Sequence, residues 1–341
     1  MTSSPLVDGF GRIHRDLRIS VTDRCDFRCD YCMPEEGLEW LERSEILTFE
    51  EIEQVARICV ERLGVESIRL TGGEPTVRAG LVDLVGRLST LDVDLALTTN
   101  GARLASMAEP LRAAGLRRVN ISLDTLQPDR FERITRRDRL EDVLAGIDAA
   151  IGVGLDPVKV NCVVVRGVND DEVVDLATFG RGRNITVRFI EFMPLDAAGN
   201  WDRSSVVGLD EIVSRIHQVH PLEPSTRGHQ PASRFRYLDG RGEVGVIPSV
   251  TAPFCGDCDR LRLTADGELR ACLFSTEGTD LRPWLRPEES DSGQGPDRGH
   301  GGLDDQLEAE VRRVVAGKWA GHGISRVDFV RPRRSMSQIG G

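Results

Sequence analysis

Asp16-Leu17-Arg18-Ile19-Ser20-Val21-Thr22-Asp23-Arg24-Cys25-Asp26-Phe27-Arg28-Cys29-Asp30-Tyr31-Cys32 decides the reading of the chain, because a strand-like run passes straight into a loop carrying three thiols. Iron–sulfur clusters are held by cysteine thiolates, and a four-iron cube needs four of them to be saturated. The loop offers three, and the next cysteine, Cys59, falls inside a helical pattern. The spacing, three residues and then two, also differs from the two-and-two spacing of ferredoxin runs. Three ligands leave one iron open to a small molecule. A zinc site would want a fourth ligand, and a disulfide is disfavoured in a chain without secretory features.

Outward from this loop, runs rich in β-branched residues recur at 17–21, 67–71, 94–99, 118–123, 157–165 and 186–192. Helix-period segments separate them at 49–63, 81–91, 104–114, 140–153 and 171–179. Thr48 with Glu51 forms a capping-box start, and Gly64 is a stop. Strand and helix in alternation predict a parallel sheet with right-handed crossovers. Six units are too few for a closed eightfold barrel, and a doubly wound open sheet fits the pattern as well. In either architecture ligands gather at the carboxyl ends of the strands.

Beyond about residue 195 the strands shorten and Pro, Gly and Arg become more common, so a division into 1–195 and a smaller α+β domain, 196–341, is expected. Runs 234–238 and 243–247 read as a hairpin across Asp239-Gly240, and 261–263 pairs with 269–273 across Asp266-Gly267. The Gly-rich stretch 287–302 reads as a flexible insertion.

Composition narrows the function. The 341 residues are 40% hydrophobic and 29% charged, with no apolar run long enough to span a bilayer, and the N-terminus lacks an apolar signal core. A cytoplasmic protein with no membrane partner is expected. A net charge of -11 argues against nucleic acid, and any anionic substrate must meet a local basic cluster. Lys159 and Lys318 are the only lysines; Lys159 falls on a strand, whereas Lys318 lies in a polar tail and is assigned no role. Cys59 and Cys162 read as small core hydrophobes.

The other three cysteines, Cys255, Cys258 and Cys272, again supply only three thiolates, and no histidine lies between Val250 and Phe274. An open iron–sulfur cluster and a zinc site both remain compatible with this spacing. Gly72-Gly73-Glu74-Pro75, directly after the second strand, allows close backbone approach, and Glu74 can meet an ammonium group.

With an aromatic Tyr31 before its last cysteine, the first loop resembles that of the radical S-adenosylmethionine (SAM) superfamily, whose open iron chelates the amino and carboxylate groups of SAM. The likeness sharpens over Gly245-Val246-Ile247-Pro248-Ser249-Val250-Thr251-Ala252-Pro253-Phe254-Cys255-Gly256-Asp257-Cys258-Asp259-Arg260-Leu261-Arg262-Leu263 and Cys272-Leu273-Phe274. Together with Phe10-Gly11-Arg12, Asp16 to Arg24 and a terminal Gly340-Gly341, these resemble the GTP 3′,8-cyclase family, which opens molybdenum-cofactor biosynthesis. The resemblance implies a partial (β/α)6 barrel, two [4Fe-4S] clusters on the two cysteine trios, SAM as cosubstrate and GTP as substrate. It places Tyr31, Gly73, Ser122 and Met193 on SAM, and Arg18, Arg69, Thr98 and Lys159 on GTP. It sets Arg260, Leu261 and Arg262 beside the second cluster, with an open iron there taking the guanine, and it brings Gly340 and Gly341 into the active site. It further implies a homodimer, an electron donor such as flavodoxin or ferredoxin, and cyclic pyranopterin monophosphate synthase downstream. Asp26, where the family commonly has asparagine, departs from the pattern.

Overall fold

The structure, a computed structural model, describes residues 4–196, 199, 201–287, 302–324, 326 and 329–340. At its centre lie parallel strands β1 (Asp16–Ser20), β2 (Ser67–Thr71), β3 (Asp94–Thr99), β4 (Arg118–Ser122), β5 (Val158–Val164) and β6 (Thr186–Glu191), adjacent in chain order. Helices α1 (Phe49–Arg57), α2 (Leu81–Leu88), α3 (Leu104–Ala113), α4 (Pro128–Thr135), α5 (Leu140–Gly152) and α6 (Val173–Arg183) fall between them. The expected alternation is therefore present, with most boundaries moved by a residue or more. Two helical segments differ in kind. The run expected at 49–63 is α1 followed by a π-helical turn, Ile58–Arg62, and α4 was not anticipated, although Pro128 at its first turn and Asp129 behind it are start signals. The capping box of α1 closes in both directions: Glu51 N donates to Thr48 Oγ1 (3.2 Å) and Thr48 N to Glu51 Oε2 (2.6 Å).

The later segment lengthens this same sheet at both ends. Strand β9 (Glu243–Ile247) pairs in parallel with β6, and β10 (Arg260–Leu263) pairs in parallel with β1. Beyond β9 lie β8 (Ser233–Tyr237) and β7 (Leu222–Ser225); beyond β10 lie β11 (Glu268–Arg270) and β12 (Thr279–Asp280), all antiparallel to their neighbours. Both predicted hairpins are formed, but β11 ends at Arg270, so Cys272 sits beyond the strand expected to carry it. The remaining helices are α7 (Leu209–Val219), α8 (Arg282–Leu285), α9 (Leu303–Ala316) and α10 (Met336–Ile339). Of the stretch 287–302, residues 288–301 lie outside the described residues. Among the described residues no helix is long and apolar enough to cross a membrane.

Strand periodicity explains where the site sits. Successive side chains point to opposite faces, and in register the row Leu261, Leu17, Ile68, Leu95 is completely or almost completely buried against the helices. Each such side chain is worth roughly 1.5–3 kcal/mol when fully buried. The alternate row, Arg262, Arg18 and Arg69, faces the inside of the curved sheet, continued by Thr98, Asn120, Ser122, Asn161 and Arg188. Arg18 on β1 and Arg188 on β6 line one cavity, which requires the sheet to curl into the expected partial barrel.

Candidate active site

That cavity encloses about 290 Å³, and both cysteine trios line it. The loop of Cys25, Cys29 and Cys32 is fixed from two sides. On one, Gly73 N donates to Thr22 O and Glu74 N to Arg24 O, both at 2.8 Å. A Cβ on Gly73 would overlap the carbonyl oxygens of Asp23 and Arg24, which is why the loop requires glycine there. On the other side Arg28 N reaches Thr135 O (2.9 Å), Asp30 N reaches Ile134 O (3.1 Å) and Arg137 Nε reaches Asp26 O (2.8 Å), so the end of α4 clamps the loop. Asp26 Oδ1 accepts from Asn100 Nδ2 at 2.7 Å and Oδ2 pairs with Arg103 Nε at 3.3 Å, which neutralises this departure from the family residue.

Glu74 is almost fully buried. Its Oε1 accepts from Thr76 N (3.0 Å), Thr76 Oγ1 (2.6 Å) and Thr99 Oγ1 (2.7 Å), and its Oε2 accepts from Asn100 N (2.6 Å). The carboxylate thus ties the end of β2 to the end of β3, leaving one acceptor position on Oε2. Tyr31 turns its hydroxyl to Asp124 Oδ2 (2.6 Å), whose Oδ1 accepts from Val163 N (2.8 Å). Burial raises Asp124 to about 6 against these hydrogen bonds. Ser122, Thr98 and Met193 line the same cavity.

Burial pushes the Cys25 and Cys29 thiols above the usual range, and Cys32 to about 11 against the lowering effect of donors on Ser337. In the second trio, burial would raise Cys258 too, but Arg260 and Lys318 hold it at about 7. Lys318 is thus no bland tail residue: it is 5% exposed and directs Nζ at Cys258 O (3.1 Å), Arg260 O (3.0 Å) and Cys258 Sγ (3.5 Å). Sequence gave no sign of this, because its partners lie about sixty and three hundred residues away.

Between the trios is a cluster of cations. Arg18 is buried and Arg69 nearly so, and they share one carboxylate, Asp16, at 3.8 and 3.6 Å. Burial, then mutual repulsion with Arg69, Arg262 and Arg260, depresses Arg18 well below its ordinary value. Arg188 comes down to about 9 through burial and then Arg69 and Arg118, Arg262 to about 10 through burial and then Arg260, and Lys159 to about 8 through burial and then Arg188. Burial alone would raise Asp16, yet Arg69 and Arg18 hold it down as an anion. Such a concentration of positive charge, offset by Asp16 and, for Arg69 and Lys159, by Asp94 and Glu243, is costly unless a polyanion enters. Arg188, buried and bonded to Asn161 Oδ1 (2.9 Å) and Asn120 Oδ1 (2.6 Å), was missed; a cation in mid-strand, as noted for Lys159, was its signal. Leu261, expected with Arg260 and Arg262, turns its side chain into the core on the opposite face.

The tail closes the cavity from the second side. Helix α10 brings Ser337 to Cys32, and the carbonyl of Gly340 accepts from Arg262 Nη1. Gly340 has φ +85°, and a Cβ there would overlap Ser20 Oγ and crowd Thr71. Gly341 lies outside the described residues.

The donor sets suit iron–sulfur groups. All six cysteines are free thiols, and among the described residues no three His, Cys, Asp or Glu side chains are gathered as ligands of a single metal ion.

Known proteins supply the context. The profile of the Radical SAM superfamily matches residues 19–180 and that of Molybdenum Cofactor Synthesis C residues 185–322. A GTP 3′,8-cyclase of Streptomyces coelicolor is 48% identical over 98% of this chain and 96% of its own, and one of Mycolicibacterium smegmatis 47% over 99% and 92%. The crystal structure of Streptococcus suis SuiB bound to S-adenosylmethionine superposes with a TM-score of 0.60, at 15% identity, over 90% of this chain and 69% of that one, a likeness of fold.

Proposed function

The chain belongs to the GTP 3′,8-cyclase family of radical SAM enzymes, which acts in molybdenum-cofactor biosynthesis, and from this we propose that it converts GTP to (8S)-3′,8-cyclo-7,8-dihydro-GTP. Cys25, Cys29 and Cys32 would hold one [4Fe-4S] cluster with SAM on its open iron; Cys255, Cys258 and Cys272 would hold a second. When bound with SAM and reduced by one electron, the first cluster would supply radical chemistry, cleaving SAM to methionine and a 5′-deoxyadenosyl radical able to take hydrogen from C3′ of GTP.

The observation that carries the reading is the cluster of cations around Asp16, set between two three-cysteine loops. Arg18, Arg69, Lys159 and Arg188 neutralise the triphosphate, Thr98 adds a hydroxyl, and the backbone of Leu261 with Arg260 and Arg262 fixes the nucleoside toward the second trio. Gly73, Ser122, Met193, Tyr31 and the free acceptor position of Glu74 hold SAM. Gly340, whose carbonyl accepts from Arg262, occupies the space beside that guanidinium without a side chain that would displace substrate, and the family resemblance adds Gly341 to the active site. A reducing partner such as flavodoxin or ferredoxin, a homodimer in the cytoplasm, delivery of product to cyclic pyranopterin monophosphate synthase, and a division of the chain at 195/196 complete the proposal on family grounds.

The test is anaerobic. Protein reconstituted with iron and sulfide receives SAM, a strong reductant and GTP deuterated at C3′, and 5′-deoxyadenosine is examined by mass spectrometry. Deuterium in that product is expected; 5′-deoxyadenosine without deuterium would overturn the cyclase assignment.

A further inference from the structure

Lys318 and His14 form a buried relay behind the second cysteine trio. The Nζ group has three hydrogens and no lone pair as an ammonium. Two are directed at Cys258 O (3.1 Å) and Arg260 O (3.0 Å). The third has two acceptors at the same distance, Cys258 Sγ and His14 Nδ1, each 3.5 Å away. On the far side of the ring, His14 Nε2 lies 3.0 Å from Asp8 Oδ2. A carboxylate can only accept, so Nε2 carries the ring hydrogen and Nδ1 presents its lone pair to Lys318.

The neighbourhood is locked. Arg12 holds Asp8 through Nε at 2.5 Å, the chain after Lys318 through Trp319 O at 2.6 Å, and the cysteine loop through Cys255 O at 2.6 Å. Residues from the segment before β1, the cysteine loop and the stretch after α9 therefore meet around one ammonium group. The choice of lysine is informative in a chain whose 44 basic residues are otherwise arginine apart from Lys159. A compact ammonium can serve acceptors that converge on one point, which a planar guanidinium cannot.

We propose that Lys318 is a positioning residue that tunes the second iron–sulfur centre, donating its third hydrogen to the Cys258 sulfur, and that His14 competes for that hydrogen and so sets the strength of the bond. The proposal rests on the reading that this trio holds a four-iron cluster. A positive donor at a ligating sulfur draws charge from the iron and favours the reduced state. Removing the donor therefore shifts the midpoint potential negative. Removing the competing acceptor frees the donor for sulfur and shifts it positive.

The experiment uses full-length protein carrying Cys25→Ala, Cys29→Ala and Cys32→Ala, so that only the second trio can bind a cluster, reconstituted anaerobically and titrated with redox mediators under EPR detection. Lys318→Met is expected to lower the midpoint potential at unchanged iron content, Lys318→Arg to lie between it and the parent, and His14→Leu to raise it. Loss of packing does not produce shifts of opposite sign. Potentials and EPR spectra that are unchanged, or that move in one direction in both Lys318→Met and His14→Leu, overturn the proposal. Should Lys318→Met fail to retain its cluster, the sign of the His14→Leu shift decides alone. A parent that takes up no iron at the second trio overturns the cluster reading itself, a result seen before any variant is made.

Discussion

Lys159 is charged in water up to about pH 10 but comes down to about 8 here, through burial and then the repulsion of Arg188, Arg118 and Arg69. An unfolded chain keeps that proton to its ordinary value of 10.5, so between about 8 and 10.5 the unfolded state binds more protons and the group's contribution to stability rises with pH. Bound triphosphate reverses the sign by stabilising the ammonium. GTP binding is therefore expected to take up a proton near pH 8 to 9 and to weaken above it. Calorimetric titrations in buffers of different ionisation enthalpy measure the uptake, which Lys159→Met should abolish while weakening binding about ten- to a hundredfold. At the tail, Gly340→Ala places a methyl group on Ser20 Oγ and in a left-handed backbone position. It is expected to abolish GTP-dependent 5′-deoxyadenosine formation while iron content stays at the wild-type level, both read on one reconstituted sample. Lysine on a strand was visible in sequence as an anomaly; the value of Lys318 was not, because it depends on His14, which meets it only after folding.

At the scale of elements, the loops at the strand ends are held by buried acceptors more than by their own propensity. Glu74 joins β2 to β3 through four donors, and replacing it with alanine leaves all four without a partner. Glu74→Ala is expected to cost about 2–5 kcal/mol, since a buried donor left unpaired costs about 1–3 kcal/mol. Urea unfolding of the apo-protein reads this directly, separate from any effect on SAM. The parallel strands were legible because β-branched and apolar residues recur between turn signals, even though polar residues alternate with them on the cavity face. Arg188 escaped notice within such a run, and α4 within a short polar stretch whose buried side, Phe131 and Ile134, is too brief to declare a period.

For the whole molecule, the decisive feature is that strands from after residue 195 flank both β1 and β6. A fragment of residues 1–195 would carry two bare parallel edges, β1 and β6, a hazard for edge-to-edge association. Expressed alone it is expected to aggregate, whereas the intact chain stays dispersed; light scattering on both checks this. Sequence disclosed the hairpins themselves but not that they add to the central sheet, since pairing at a separation of 57 residues for β9 on β6 and 244 for β10 on β1 leaves no local trace.

The register of β10 against β1, with Arg260 opposite Asp16 and Arg262 opposite Arg18, makes the sheet a gauge. Cys258 lies two positions before the start of β10 and Cys25 five after the end of β1, so backbone hydrogen bonds calibrate the gap between the two thiol loops. Inserting one residue before β10 would move the second loop by roughly 3.3 Å. A molecule gripped at both ends is measured by that gap, and one that is a phosphate too short or a ring too long would fail to register at either end.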